Sequence, residues 1–182
     1  VLKVNVPEGA TSIDDGSFAP AYWYLVLAAR TEPKVALAAV DGIVADGYVN
    51  YRKDDAVCVT ASARAEGDDL AELTAALRDW ASKSPEGTAE VTEAKDRVTL
   101  RSCDPGQEVT GIGSVSTDLL VLPSTRTDIY VSWIEGRSSS EEALCFAQGV
   151  VDSFTVAELT TQDLGGDPEV ERRITALADG CR

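Results

Sequence analysis

The chain has 182 residues and a formal net charge of −15, from 16 Lys and Arg against 31 Asp and Glu. Apolar residues make up 44% of it, a share typical of soluble globular proteins, so a hydrophobic core can form in one ordinary domain. The absence of histidine excludes Ser-His-Asp and Cys-His catalysis and histidine-ligated zinc, and the negative charge disfavours nucleic acid and anionic lipid as partners.

The N-terminal part of the chain is polar and rich in turn-forming residues. Residues 1–17 predict a short first strand followed by a loop. The chain begins at Val1 and contains no methionine. We therefore expect a processed or trimmed product whose targeting segment lies outside this sequence.

The longest apolar run covers residues 21–29, whereas a membrane-spanning helix needs about 20 residues. We expect no membrane insertion within this chain. Residues 22–29 predict a buried strand, although an unbroken apolar run does not exclude a buried helix. On a strand, neighbouring side chains point to opposite faces, so Tyr22, Trp23 and Tyr24 cannot all face one core. These three aromatic residues form the candidate recognition surface.

A helix is predicted from Pro33, because Ala36, Leu37, Val40, Ile43 and Val44 recur at helical spacing, and Gly47 would end it. Residues 48–52 and 56–61 then predict a hairpin around a polar turn. A second helix is predicted over 69–82, with Asp69 and Glu72 as a capping box and Leu70, Leu73, Leu77 and Trp80 on one buried stripe. Residues 89–92 and 97–103 predict a second hairpin.

Residues 104–117 predict a mobile loop. Beyond it, residues 118–122 and 128–134 predict two strands, the second alternating Ile129, Val131 and Trp133 with polar residues. We expect Trp80 and Trp133 in the core.

Three helix starts are predicted in the last third of the chain. Ser139 with Glu142 and Thr155 with Glu158 have the spacing of capping boxes, and Asp167 precedes a proline suited to a first helical turn. Leu144, Ala147, Val151 and Phe154 recur at helical spacing, and so do Val170, Ile174, Leu177 and Cys181.

The four cysteines, Cys58, Cys103, Cys145 and Cys181, are widely spaced and include no C-x-x-C pair, which disfavours a zinc ribbon or a thioredoxin-like motif. An even number fits two disulfides with three connectivities, of which we favour Cys58–Cys103 and Cys145–Cys181. The alternative is four buried free thiols in a cytosolic protein.

No residue pattern indicates a catalytic site, a metal site or a cofactor. Asp118, Asp128 and Glu135 lie near predicted strand ends, where paired carboxylates of a glycosidase would stand, but such a pair needs one carboxyl in a dry pocket. The acidic segment 163–167 does not match a calcium loop.

The sequence predicts a single α+β domain over residues 1–182. A mainly antiparallel sheet with packed helices would carry a disulfide-tied helical C-terminal subunit, residues 139–182, packed on the sheet. The predicted function is a non-enzymatic extracytoplasmic domain, secreted, periplasmic or anchored to the cell envelope, that binds a protein or glycan. A secreted hydrolase with paired carboxylates acting on a glycan is the alternative. The sequence leaves the ligand and the oligomeric state open.

Overall fold

The computed structural model describes residues 1–106, 116–160 and 166–182. Residues 107–115 of the predicted loop and residues 161–165, which include 163–165 of the acidic segment, lie outside the described residues. The chain divides into two compact units, Val1–Val115 and Ser116–Arg182. The predicted α+β class is confirmed. That residues 139–182 pack on the sheet of a single domain stays a prediction.

The elements of the N-terminal unit are β1 (Thr11–Gly16), α1 (Ala19–Ala28), α2 (Pro33–Asp41), β2 (Ala45–Lys53), β3 (Ala56–Arg64), α3 (Gly67–Ser82), β4 (Ala89–Ala94) and β5 (Arg97–Cys103). The strands form a five-stranded antiparallel sheet in the order β1-β2-β3-β5-β4. Helices α1 and α2 lie between β1 and β2 in the chain, and α3 lies between β3 and β4.

Both predicted hairpins are confirmed. β2 and β3 are joined by Asp54 and Asp55, whose φ angles of 50° and 66° are those of the two-residue turn that suits the twist of a hairpin. β4 and β5 form the second hairpin. The strand predicted near the N-terminus is β1, but it covers Thr11–Gly16, in the later part of residues 1–17 where the sequence predicts the loop.

The predicted stripe of α3 is also confirmed, since Leu70, Leu73, Leu77 and Trp80 are buried. The predicted capping box is wrong. The helix begins at Gly67, after Glu66, so Asp69 already lies inside the first turn and does not cap it. α3 contacts β4 and β5.

The strand predicted over residues 22–29 is wrong, because this run forms α1. A continuous apolar run has no periodicity to separate strand from helix. Pro20 lies in the first turn, where proline is tolerated, and the Asp46 carboxylate accepts hydrogen bonds from the backbone N–H groups of Phe18 and Ala19. The helix start thus depends on a residue far along the chain.

α2 ends at Asp41 with Gly42 as its C-cap, earlier than the predicted stop at Gly47. Gly47 lies inside β2, where a Cβ would stand 2.0 Å from the carbonyl oxygen of Leu2. The close approach of the N-terminal segment to the sheet therefore requires glycine at this position. Val4 and Ala10 of this segment pack against a buried cluster of Val49, Tyr51 and Cys58.

The C-terminal unit is helical, and both strands predicted in it are wrong. Its elements are a 3₁₀ turn (Thr117–Leu120), α4 (Val121–Glu135), α5 (Ser140–Ser153), α6 (Val156–Thr160) and α7 (Pro168–Gly180). Ile129 and Trp133 are four residues apart, a spacing that places them on one face of a helix as well as on one face of a strand. Both pack against the Phe146, Val150 and Phe154 cluster, whereas Val131, which a strand would place beside them, is exposed.

The three predicted helix starts are confirmed. Ser139 and Glu142 form a reciprocal capping box, Thr155 bonds to Glu158 through both its backbone and side chain, and the Asp167 carboxylate accepts from the Glu169 N–H at 2.8 Å. The predicted stripe of α5 is correct for Ala147, Val151 and Phe154, which are buried, but wrong for Leu144, which is exposed. Val170, Ile174, Leu177 and Cys181 all pack against the Phe146 cluster, as predicted.

Both predicted disulfides are confirmed. Cys58 and Cys103 are direct partners on β3 and β5, so their bond joins two strands of one sheet across α3. Cys145–Cys181 joins α5 to the residue that follows α7. All four thiols are oxidised, which indicates an oxidising, extracellular type of compartment.

Candidate functional site

A groove of about 370 Å³ lies in the N-terminal unit, between its helices and the sheet. Val57 and Val59 of β3 form its floor, because odd-numbered residues of this strand face the helices. Trp80 of α3 and Val26 of α1 form its walls. Val57 is 40% exposed. Most of the groove is therefore an apolar surface that the helices leave uncovered.

Arg30, which follows α1, supplies a positive charge to this apolar groove. Its guanidinium carbon lies 3.8 Å from the centre of the Trp80 ring, and its Nη1 donates to the Ser84 hydroxyl. Lys83 Nζ donates to the Arg30 carbonyl at 2.6 Å. These contacts fix the backbone and the side chain of Arg30 against α3 and the residues that follow it.

No carboxylate of the described residues forms an ion pair with Arg30. Burial lowers the pKa of its guanidinium from the usual value. An anion that paired with Arg30 would offset this cost of burial. The groove therefore combines an apolar wall with a positive charge that no carboxylate of the described residues pairs, and the carboxylate of Asp104 also lines it.

The predicted recognition surface consists of Tyr22, Trp23 and Tyr24, and in helix α1 these three side chains differ in exposure. Trp23 and Tyr24 are buried, with 0% and 2% of their surface exposed, so neither can belong to a surface. Tyr22 is 64% exposed, and its proposed role in recognition stays a prediction. Burial, followed by the charge of Glu32, raises the pKa of Tyr24 to about 12.

Asp46 of β2 fixes the corner where β1 leads into α1. Its carboxylate accepts hydrogen bonds from the Ser17 hydroxyl at 2.6 Å, the Phe18 N–H at 2.6 Å, the Ala19 N–H at 3.2 Å and the Trp23 indole at 3.2 Å. Ala19 has a φ of 57°, a left-handed conformation that is strained for a residue with a Cβ. The Asp46 bonds hold that conformation, and they place Phe18 where it both stacks on Tyr48 and lines the groove.

The carboxylates that the hydrolase alternative would use are not in a dry pocket. Asp118 in the 3₁₀ turn, and Asp128 and Glu135 of α4, are all exposed. Among the described residues, Asp46 is the buried carboxylate, and its oxygens are already occupied by four donors. Sequence reasoning missed both Asp46 and Arg30, because their partners lie 23 to 54 residues away in the chain.

Comparison of the chain with protein-family models, with curated proteins and with solved structures gives no match. Within the described residues, no helix is both long enough and apolar enough to cross a membrane.

Proposed function

We propose that this protein is a binding domain of an oxidising, extracytoplasmic compartment and that its groove takes a small amphipathic anion. Arg30 carries the proposal, because its half-buried guanidinium lies at the groove without a carboxylate partner among the described residues. An anionic head group would pair with Arg30, and an apolar chain would cover Val57, Val59 and Trp80. Secretion, or anchoring to a cell envelope, is the setting we propose, since both disulfides persist only under oxidising conditions.

Isothermal titration calorimetry with dodecanoate, below its micelle concentration, tests this proposal. Dodecanol serves as the neutral analogue. We expect wild-type protein to bind dodecanoate more tightly than dodecanol, and Arg30→Gln to weaken dodecanoate binding by about tenfold while leaving dodecanol unchanged, since a charged hydrogen bond contributes more than a neutral one. Equal affinity of wild type and Arg30→Gln for dodecanoate would contradict the proposal.

A second pair of variants tests the apolar wall. Val57→Asp places a carboxylate in the groove and should abolish binding of both compounds. Val44→Asp is the matched control, because Val44 is an exposed valine at 59% that does not line the groove. If Val57→Asp and Val44→Asp both lost binding, the added negative charge would explain the loss, and the position in the groove would not.

No observation favours the hydrolase alternative, since Asp118, Asp128 and Glu135 are exposed. The proposed ligand is smaller than the protein or glycan partner expected from the sequence.

A further inference from the structure

The face of the sheet opposite α3 carries a row of arginines and hydroxyl side chains. Side chains alternate along a strand, so the residues that face away from α3 are the even-numbered ones of β3 and their direct partners on β5. We call this surface the arginine face, defined by Thr60, Ser62, Arg64, Arg97, Thr99 and Arg101. The N-terminal segment packs on the neighbouring cluster of Val49, Tyr51 and Cys58.

Arg64 and Arg97 are direct partners on β3 and β5. Like charges at directly opposite positions of an antiparallel pair destabilise the sheet. Arg64 Nε is buried and has no hydrogen-bond partner among the described residues. Within the part of the chain that the structure describes, the carboxylate that approaches Arg97 is that of Asp96, its sequence neighbour, at 3.9 Å. Local pairing therefore does not account for these two cations in a chain with 31 acidic residues.

The row continues towards Cys103. Arg101 is four residues from Arg97, or roughly 13 Å along the strand, and Thr99 lies between them. Arg101 also lines a cavity of about 440 Å³ with Lys53, Tyr51 and Pro7. Two carboxylates lie nearby, Asp54 in the cavity lining and Glu90 opposite Arg101 on β4, but neither forms an ion pair with Lys53 or Arg101.

Hydroxyl groups occupy the positions between the arginines. Ser62 and Thr99 are partners whose hydroxyl oxygens are 2.6 Å apart, and the Thr60 hydroxyl donates to Tyr51. Ser62 is buried, so Thr60 and Thr99 supply the partly exposed hydroxyls. A surface of hydroxyls with cations at its two ends is complementary to a chain of hydroxyl-bearing units with widely spaced negative charges. A nucleic acid carries a phosphate at every nucleotide, so its charges are too closely spaced to match two cation pairs that are separated by hydroxyl groups.

We propose that the arginine face binds an acidic polysaccharide. Carboxylate or sulfate groups of the polysaccharide pair with Arg64 and Arg97 at one end and with Arg101 and Lys53 at the other. The sugar hydroxyls exchange hydrogen bonds with Thr60 and Thr99. This surface and the groove lie on opposite faces of the sheet, so the proposal is independent of the amphipathic ligand.

Fluorescence anisotropy with labelled hexasaccharides tests the inference on the full chain. The probes are hexagalacturonate, a hyaluronan hexasaccharide and neutral maltohexaose. We expect at least one acidic probe to bind, maltohexaose not to bind, and Arg97→Gln and Arg101→Gln each to weaken binding about fivefold, as expected for the loss of one exposed ion pair. Added salt should weaken binding of the acidic probe.

Arg78→Gln is the matched control, because Arg78 is an exposed arginine of α3 that already pairs with Glu93 at 3.0 Å. Removing Arg97 relieves its repulsion with Arg64, so Arg97→Gln should not lower the melting temperature. The proposal is overturned if neither acidic probe binds, if Arg97→Gln and Arg78→Gln bind equally well, or if sodium polyphosphate binds more tightly than both acidic saccharides. Val57→Asp should leave saccharide binding intact even where it abolishes dodecanoate binding.

Discussion

Asp46 illustrates how one buried side chain can determine the local structure of a distant segment. Its carboxylate satisfies four donors, two of them backbone N–H groups at the start of α1. An N-cap is normally supplied by a residue adjacent to the helix, as Ser139 and Asp167 do for α5 and α7. Asp46 supplies the equivalent contact from a neighbouring strand, so no local sequence pattern could reveal it.

Replacing Asp46 with alanine should destabilise the protein by about 3 kcal/mol, because it leaves the Trp23 indole and two backbone N–H groups without an acceptor. Urea unfolding measures the loss. Glu72→Ala is the control, since Glu72 is exposed on α3 and should change stability by less than about 0.5 kcal/mol. An Asp46→Ala protein as stable as Glu72→Ala would show that the four bonds contribute little.

At the scale of elements, the sequence predicted those whose signals are local. The hairpins are marked by turn residues between β-favouring runs, α5 and α6 by capping boxes, and α7 by the Asp167 cap. The sequence predicts strands where α1 and α4 form, because the apolar run of α1 has no periodicity and Ile129 and Trp133 of α4 fit both periods. Contacts with Asp46 favour the helix in α1, and contacts with the Phe146 cluster favour it in α4. Both sets of contacts join residues that are far apart in the sequence.

The groove was not predictable from sequence for the same reason. Its floor comes from β3 and its walls from α1 and α3. Val57 lies near the start of the strand predicted over residues 56–61. The sequence therefore shows that Val57 belongs to a strand, but not that it lines a groove. The part of this sheet face that the helices leave uncovered depends on the length and direction of the helices. No local sequence pattern shows this.

The cap of α6 gives a pH-dependent prediction. Glu158 accepts from the Thr155 backbone, the Arg173 guanidinium and the Thr155 hydroxyl, and these bonds lower its pKa from 4.5 to about 2. A group whose pKa is lower in the folded protein adds stability above its unfolded pKa and loses it on acidification. The stabilisation should therefore be complete above pH 4.5 and disappear as pH falls through about 2.

Thermal unfolding of wild type and Glu158→Gln across this range measures the effect. The wild type should be the more stable protein at pH 6, and the difference should shrink below pH 4.5 and vanish near pH 2. Glu135→Gln, an exposed carboxylate at the end of α4, should show no comparable dependence. A difference that is constant from pH 6 to pH 2 would contradict the assignment.

At the scale of the whole molecule, neither disulfide links the two units: Cys58–Cys103 lies within Val1–Val115 and Cys145–Cys181 within Ser116–Arg182. Each bridge closes a segment of 45 or 36 residues and should stabilise its unit by roughly 4 kcal/mol through the entropy of the unfolded chain.

Mass spectrometry and urea unfolding check this prediction together. Denatured, non-reduced protein should take up no alkyl groups, and reduced protein should take up four, one for each cysteine. Cys145→Ser with Cys181→Ser should lower the stability of the C-terminal unit by roughly 4 kcal/mol. In the double variant with Cys58→Ser and Cys103→Ser, reductant breaks only the Cys145–Cys181 bridge. It should lower the stability of the C-terminal unit by the same amount. A smaller loss with reductant would mean that the serine substitutions, not the missing bond, destabilise the protein.

The order of the cysteines also bears on how the chain matures. Each bond joins cysteines that are consecutive along the polypeptide. In a protein exported from its N-terminus, Cys58 and Cys103 would therefore both emerge before Cys145. An oxidant that joins each newly emerged thiol to the free thiol preceding it in the chain would form only the native bonds. In a chain exported in this direction, such stepwise oxidation would give the native connectivity without a disulfide isomerase to rearrange wrong pairs.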